Sequence, residues 1–440
     1  MKISFFQAIL MGIFGVAAII GIFVFATHSG SNSGNTGSTT VGTVVIWGTL
    51  PKAGMVDALT AITQQEQSLK YVSYVEKNSA TLTADLATAI ATGNAPDLIL
   101  SSQEQLLALK NLISPVPTAT LPITTFRNTF IQGADLFMTQ DRSGYYGLPF
   151  VVDPLALFSN RSILSSNGIA KPPVTWESLA GLVPSVAVLT PTKQITRGLI
   201  ALGTYSNVHD ARAILSTLFL QTGVPISAYS NGSLVANLTS ATASQNGSPG
   251  QAVISFYTQF TDPSKVSYTW NASLPDSRQA FVNGDLALYL GYASEARFIA
   301  AANPNLDVVV TPTPQPGTAH TKNTYGLIYA FMIPHGAKNP GGAFQAAALL
   351  TNVAEQTIVA AVTGFAPATL TPLATAPADP VAAIAYAEAL YTSGWLSPLP
   401  ADTDTVFSSI ITDVITGRSA DSINALTSGE RSLGALLQKK

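Results

Sequence analysis

The chain contains no cysteine. Disulfides, thiolate catalysis, Cys-ligated zinc and a lipid-modified N-terminal Cys are thereby excluded. Histidine is almost as scarce: His28, His209, His320 and His335 are too scattered for the short-range pairs of a recognisable zinc motif. Charge is thin as well. Asp, Glu, Lys and Arg make up 10% of the 440 residues, against about 25% in ordinary globular proteins. The 21 basic and 24 acidic side chains leave a net charge of −3. No basic excess exists with which to hold a phosphate backbone, so nucleic acid is excluded as a partner. No Gly-x-Ser-x-Gly elbow, Gly-rich phosphate loop followed by Lys, or His-Glu-x-x-His helix occurs. The composition leaves a near-neutral, metal-poor and disulfide-free chain, for which no catalytic residue, metal or cofactor is expected. What is present is an apolar fraction of 47% on a chain long enough for two domains or one large split fold.

The most apolar stretch comes first. Phe5 to Ala26 is interrupted only by Gln7 among strongly polar side chains, and as a helix it covers a hydrocarbon core of about 30 Å. Lys2 precedes it and no charge follows until Lys52, a bias that leaves the N-terminus in the cytoplasm. A cleaved secretory signal is the other reading. The length of the run and its Phe-Val-Phe-Ala end, which is not a small-x-small cleavage site, favour an uncleaved anchor. Either way the remainder is expected on the extracytoplasmic side of a prokaryotic cytoplasmic membrane. Residues 1–27 are thus an anchor or signal. Residues 28–42, containing SGSNSGNTGSTT, form a flexible linker.

Beyond the linker, strand and helix patterns alternate. Thr43 to Trp47 is a β-rich run, Met55 to Leu69 has helical spacing, and Tyr71 to Val75 is a second strand. An apolar helical stripe (Leu82, Leu86, Ala89, Ile90) stops at Gly93 and is followed by the strand Leu98–Leu100. Ser102 with Gln105 three residues on fits a capping box. This order implies a mostly parallel sheet covered by helices. Tyr145 to Ser159 is extended, holds two prolines and has the character of an interdomain strand. After it come a Thr175-capped helix start, a helix over Val208–Gln221 and a polar stretch over Ser230–Gly250 read as a surface loop. A helix runs from about Gly250 to Phe260, and another with Asn283-Gly284 as its cap leads into the strand Leu286–Leu290. Strands over Leu306–Val310 and Thr324–Ile333, a helix opened by Asn339-Pro340 and a helical tail complete the pattern. Two α/β lobes exchanging strands account for it. The expected division is 43–152 with about 306–360, and 153–305 with about 361–440.

These segments carry a family resemblance. Val45-Ile46-Trp47-Gly48, Ala95-Pro96-Asp97-Leu98-Ile99, Gly147-Leu148-Pro149-Phe150 with Asp153-Pro154-Leu155, Pro173-Val174-Thr175-Trp176-Glu177, Ala280-Phe281-Val282-Asn283-Gly284-Asp285 and Lys338-Asn339-Pro340-Gly341-Gly342 follow one another in a set order. In that order and spacing the chain resembles the extracellular solute-binding proteins of ABC importers, of the carbohydrate type that includes maltose-binding protein. The resemblance implies a two-lobed periplasmic-binding-protein-like α/β fold with crossing hinge strands, here preceded by one N-terminal transmembrane helix. It implies capture of a small hydroxylated ligand, expected to be a sugar or oligosaccharide, in an interlobe cleft, hinge closure, and delivery to ABC permease subunits. A sensor or adhesin on the same fold, or a binder of a non-sugar solute, is the alternative.

Sugars are held by flat rings and by planar polar groups in pockets with few polar contacts, and ligands of open α/β sheets sit beyond the carboxyl ends of the strands. That geometry selects Trp47, Thr49 and Lys52 after the first strand and Ser101 and Ser102 after the third. The resemblance supports Thr49 and Lys52, and matches Asp153 to an acidic ligand contact. Asp153 is also a carboxylate in an otherwise apolar segment, where burial without partners would cost several kcal/mol. Tyr205, Asn207, Trp270 (expected as an exposed ring), Gly291 and Tyr292 are the candidates from the second lobe, and Tyr325 and Trp395 are further ones, Trp395 because its loop faces the cleft in relatives. Trp176 directly follows a helix cap and is assigned to packing instead.

Overall fold

The computed structural model describes residues 40–239, 248–419 and 421–439. The expected anchor (1–27), most of the expected linker (28–42) and residues 240–247 of the expected 230–250 loop lie outside them. Among the described residues no single helix is long and apolar enough to cross a membrane. The chain divides into two compact units, the first built from residues 40–152 and Leu327–Ala376, the second from Asp153–Gly326 and Pro377–Lys440.

The first unit opens with β1 (Val44–Gly48), in which buried residues alternate with half-exposed ones as a pleated strand requires. Helix α1 (Lys52–Gln65) buries Met55, Ala58, Leu59 and Ile62, three and four residues apart on one face. β2 (Val72–Glu76) follows, then α2 (Leu82–Ala91), which gives way at Gly93 with φ +69°. β3 (Leu98–Ser102) is buried throughout. Both β2 and β3 pair with β1 in parallel, so all three strands present their carboxyl ends at one edge. The 13 residues of β4 (Leu148–Asn160) are all buried, and the unit boundary falls inside this strand, between Val152 and Asp153.

In the second unit come β5 (Ile195–Ile200), α3 (Ala211–Gln221), β6 (Ile226–Ser230), β7 (Ser233–Asn237), α4 (Ser277–Asn283), β8 (Leu286–Tyr292) and β9 (Val308–Pro312). β8 runs parallel to β5 and antiparallel to β4, with Tyr292 opposite Leu155 and Leu288 opposite Ser159. β9 lies along the other side of β4, Val308 opposite Asn160. The side chain of Asp276 accepts from the Arg278 and Gln279 amides to start α4, and Gly284, at φ +84°, ends it in the left-handed region. β10 (Thr324–Pro334) begins in the second unit and ends in the first, where Tyr329–Met332 run antiparallel to β3. Helices α5 (Pro340–Leu350) and α6 (Val353–Thr363) and the short β11 (Ala366–Pro367) complete the first unit. The chain then returns to the second as α7 (Pro380–Ala389), α8 (Pro400–Ile415) and α9 (Ser422–Leu437).

Three expectations are corrected. The exchange points placed near 306 and 360 fall at 326 and 376. The pairing of β9 with the second half of β4 keeps 306–326 in the second unit, and that of β11 with Val151 and Val152 keeps 361–376 in the first. The stretch from Ser230 read as a loop contains a hairpin, β6 against β7, turned by Asn231 and Gly232 at φ +50° and +82°. Asn-Gly flanked by two short strands is the signal for that turn. Finally, Ser102 makes no side-chain cap bond. The backbone tightens into a 3₁₀ turn over Gln103–Gln105 instead.

Candidate functional site

Each unit gathers polar side chains at the carboxyl ends of its parallel strands. In the first unit, Trp47 is half-exposed near the end of β1, and the Lys77 ammonium stands 3.7 Å from its ring centroid. Thr49 N–H donates to the Leu100 carbonyl at 3.1 Å, and Lys77 N–H to the Gly48 carbonyl at 2.7 Å, which pins the β1 loop between its two neighbours. Lys52 is exposed at the first position of α1, where its amide donates to Glu76 Oε2 at 2.7 Å. That carboxylate satisfies one of the open N–H groups of the helix and complements its dipole. At the end of β3 and just beyond it, Ser101, Ser102, Gln103, Glu104 and Gln105 are all buried, an unusual run of polar groups. Gln103 Oε1 accepts from the Ile328 amide at 2.7 Å, and Gln105 Nε2 donates to the Ser79 carbonyl at 3.2 Å. Ser101 Oγ and Gln105 Oε1 have no hydrogen-bond partner among the described residues. A buried orphan of this kind costs about 1–3 kcal/mol until something bonds to it.

In the second unit the corresponding ends belong to β5 and β8. Asp153, 4% exposed, begins the second half of β4 beside the end of β8. Its Oδ1 accepts from the Ser294 amide at 3.0 Å and its Oδ2 from the Ser294 hydroxyl at 2.6 Å. Burial, only partly offset by these bonds, pushes its carboxyl up to about 7. Gly291 leaves room for the Tyr289 ring and the Glu295 carboxyl, both of which a Cβ would strike. Tyr292 is half-exposed, and its amide donates to Glu295 Oε1 at 3.0 Å. Glu295 Oε2 receives the Tyr289 hydroxyl at 2.8 Å and stands 3.4 Å from Arg278 Nη1. Asp210 Oδ2 lies 3.1 Å from the same hydroxyl.

His209, Asp210 and Glu295 place their oxygen and nitrogen atoms within 4.8 Å of one another. The guanidinium beside Glu295, the phenol between the two carboxyls and the bond of His209 Nδ1 to Asp276 at 3.2 Å make this donor set a proton-sharing network, not a cation cage.

Several predicted residues have structural duties. The Tyr205 hydroxyl donates to Asp404 Oδ1 at 2.5 Å, and Arg212 bonds the other oxygen at 2.6 Å, tying this loop and α3 to α8. Asn207 accepts from Thr204 Oγ1 and donates to the Asn271 and Leu274 carbonyls, which closes the loop after β5. Trp270 corrects the expectation of an exposed ring. It is 1% exposed because its neighbours bond inward: Thr269 Oγ1 receives the Leu199 amide, and the Trp270 amide reaches the Phe260 carbonyl. Tyr325 is fully buried in β10. Trp395 is 2% exposed, donates from Nε1 to Ser216 Oγ at 3.0 Å and stacks on Phe407, so it belongs to the core between α3 and α8. Trp176 is packing as expected, behind a Thr175 capping box. The sequence reading missed Lys77, Asp210, Tyr289, Ser294 and Glu295. The signal for the last two was Ser-Glu directly after a buried strand, the same strand-end position that selected Tyr292.

A cavity of about 450 Å³ lies in the first unit, lined by Pro115, Val116, Pro117, Pro334, His335 and Phe344 among others. Ser114 and Ile333 pair beyond the amino end of β3, so this apolar hollow is remote from the polar strand ends.

The model of the family described as bacterial extracellular solute-binding protein matches residues 55–388, well over half of the chain, and the chain belongs to that family. Among solved structures it is similar to a cyclic α-maltosyl-1,6-maltose binding protein from Arthrobacter globiformis, at 14% identity and a TM-score of 0.73 over 90% of this chain and 99% of that one. A cyclo/maltodextrin-binding protein complexed with maltotetraose matches at 15% and 0.70, over 92% and 98%. A Thermus thermophilus maltotriose binding protein bound with maltotriose matches at 15% and 0.63, over 89% and 99%. At such identities the likeness establishes the α/β solute-binding fold. Comparison with curated proteins finds no match.

Proposed function

We propose that the chain captures a small neutral hydroxylated solute, a sugar or oligosaccharide, with the strand-end loops of both units, and hands it to an ABC permease. In this reading Phe5–Ala26 tethers the protein to the membrane and the chain has no enzymatic role. The observation that carries it is the concentration of polar groups at the carboxyl ends of otherwise apolar strands in each unit: Ser101 to Gln105 in the first, and Asp153, Tyr292, Ser294 and Glu295 in the second. Planar amides and carboxyls at strand ends are the groups that take pairs of hydroxyls. The sugars named for the structural neighbours belong to the same class of ligand.

The test is a titration of the protein from Thr40 onward against maltotriose, mannobiose and a set of charged solutes. The fragment has to include Val41, which is buried and whose carbonyl receives Asn339 Nδ2 at 2.9 Å. Of the four tryptophans Trp47 alone is not buried, so its emission is the reporter. Saturable change with a sugar supports the reading. No change with any sugar and a clear change with a charged solute refutes it. Tethering is tested separately by alkaline extraction of membranes carrying the full chain, which a spanning helix survives and a peripheral protein does not.

A further inference from the structure

The loop after β8 is fastened by carboxyl groups that have too few hydrogens and cations to all be ionised. Asp153 holds Ser294 through both of its oxygens, at 3.0 and 2.6 Å. Glu295 folds back on the Tyr292 amide at 3.0 Å. The Tyr289 hydroxyl, with a single proton, stands 2.8 Å from Glu295 Oε2 and 3.1 Å from Asp210 Oδ2. One carboxyl oxygen of Asp210 and one of Glu295 lie within 4.8 Å of each other, facing that single hydroxyl proton. The facing charges do not supply the balance. Arg278 from α4, its guanidinium 4.4 Å from the Phe298 ring centroid, is 3.4 Å from Glu295. His209, on the loop that carries Asp210, directs Nδ1 to Asp276 at 3.2 Å, on the edge of the cluster. Burial, then the Glu295 charge beside it, raises the Asp210 carboxyl well above the usual range, and Asp153 is raised by burial with Glu295 as a lesser cause.

We propose that Asp153 and Asp210, facing Glu295, form a proton-operated latch on the Tyr292–Glu295 loop, which holds the loop while the two aspartates are protonated and loosens it as the protons leave. Where two carboxyls face one hydroxyl proton, ionisation of the second sets like charges against each other with no donor left between them. Asp210 immediately precedes α3, Asp153 sits in the strand at the unit boundary and Glu295 closes the short 3₁₀ turn Ala293–Glu295 after β8, so the repulsion acts on that turn. Given the solute-binding reading above, on which this consequence rests, solute is held more tightly in acidic than in alkaline medium, because the loop that opens carries Tyr292.

The experiment is amide hydrogen exchange on the full chain at pH 5 and pH 8, corrected for intrinsic exchange. Protection of residues 293–298 is expected to fall with rising pH, by about tenfold for each pH unit in which opening releases one proton. It should stay below the protection of β5 and β8 at both pH values, since the loop opens without global unfolding. In Asp210→Asn, or in Asp153→Asn if the former does not fold, the pH dependence shrinks. Equal loop protection at pH 5 and pH 8, loop protection equal to that of the strands, or an undiminished pH dependence in the folded variants would each overturn the latch. Maltotriose titrations at the same two pH values form a second arm. Binding that is tighter at pH 5 supports the consequence, and binding unaffected by pH overturns it. Failure of every sugar to bind refutes the solute reading, while the exchange data still decide the latch.

Discussion

Replacing Asp153 by Asn makes the energetic role of its burial measurable. The carboxyl moves from an ordinary 3.8 to about 7 in the folded chain. A carboxyl whose folded value lies above its unfolded value binds an extra proton when folded between those limits. The stability it contributes is therefore complete in acid and is lost as pH rises through that window. Each pH unit is worth about 1.4 kcal/mol, so the wild type loses about 4 kcal/mol between about pH 4 and pH 7 and little more above it. The group is 4% exposed, so solvent screening removes little of this. Asn cannot ionise. It keeps the acceptor for the Ser294 amide and exchanges the carboxyl's bond with the Ser294 hydroxyl for one in which the amide donates. At pH 4.5 the variant should thus be less stable than the wild type by about 1 kcal/mol, the net worth of one imperfect hydrogen bond. By pH 8 it should be more stable by about 2–3 kcal/mol, so that the two curves cross. Urea midpoints of the second unit, followed from pH 4.5 to 8.5 in both proteins, give the difference directly and cancel every other titrating group. Parallel curves would mean that Asp153 is ionised and solvated in the folded chain, and the reasoning from burial would be wrong.

Other perturbations test separate parts of the structure. Tyr205→Phe removes a hydrogen bond to a carboxylate and should lower stability by about 1.5–3 kcal/mol, read as a shifted urea midpoint, without altering the slope. Gly291→Ala drives a methyl into the Tyr289 ring and the Glu295 carboxyl; a loss of about 1–3 kcal/mol by the same measurement is expected. Trp395→Ala empties a core site between α3 and α8 and should remove about 3–5 kcal/mol, while sugar affinity measured at a temperature where the variant is folded stays unchanged. A large affinity loss there with normal stability would instead return Trp395 to the ligand site.

The alternation of strands and helices was legible because each carries its own periodicity. Val44, Ile46 and Gly48 alternate with half-exposed neighbours in β1, and Met55, Leu59 and Ile62 share one face of α1. Chain exchange between units was legible in part, since Leu148–Asn160 reads as one buried strand too apolar for a connection. The later exchange points were not, because pairing between β9 and β4 links residues about 150 apart in the chain and leaves no mark on either segment alone. Ser230 to Gly250 misled for a simpler reason. Ser and Asn dominate its composition, and composition outweighed the Asn231-Gly232 pair that turns the hairpin.

The candidate site divides along the same line. Strand ends are local features, so Trp47, Thr49, Ser101 and Tyr292 could be picked by position. What an aromatic or an amide does there depends on partners far away in sequence. Trp395 meets Ser216 and Tyr205 meets Asp404, each across more than 170 residues. A tryptophan flanked by Ser, Gly and Pro reads as a loop ring open to a ligand until the indole N–H is seen to have a buried acceptor, and then packing explains the residue completely. Carboxyls behave in the opposite way. An acid in an apolar run such as Val152-Asp153-Pro154-Leu155 has no structural excuse in the sequence, and the structure supplies only a serine to receive it. The strongest residual signal in this chain is therefore an uncompensated acid, and Asp153 leads directly to Ser294, Glu295 and Asp210, three residues that no periodicity would have singled out.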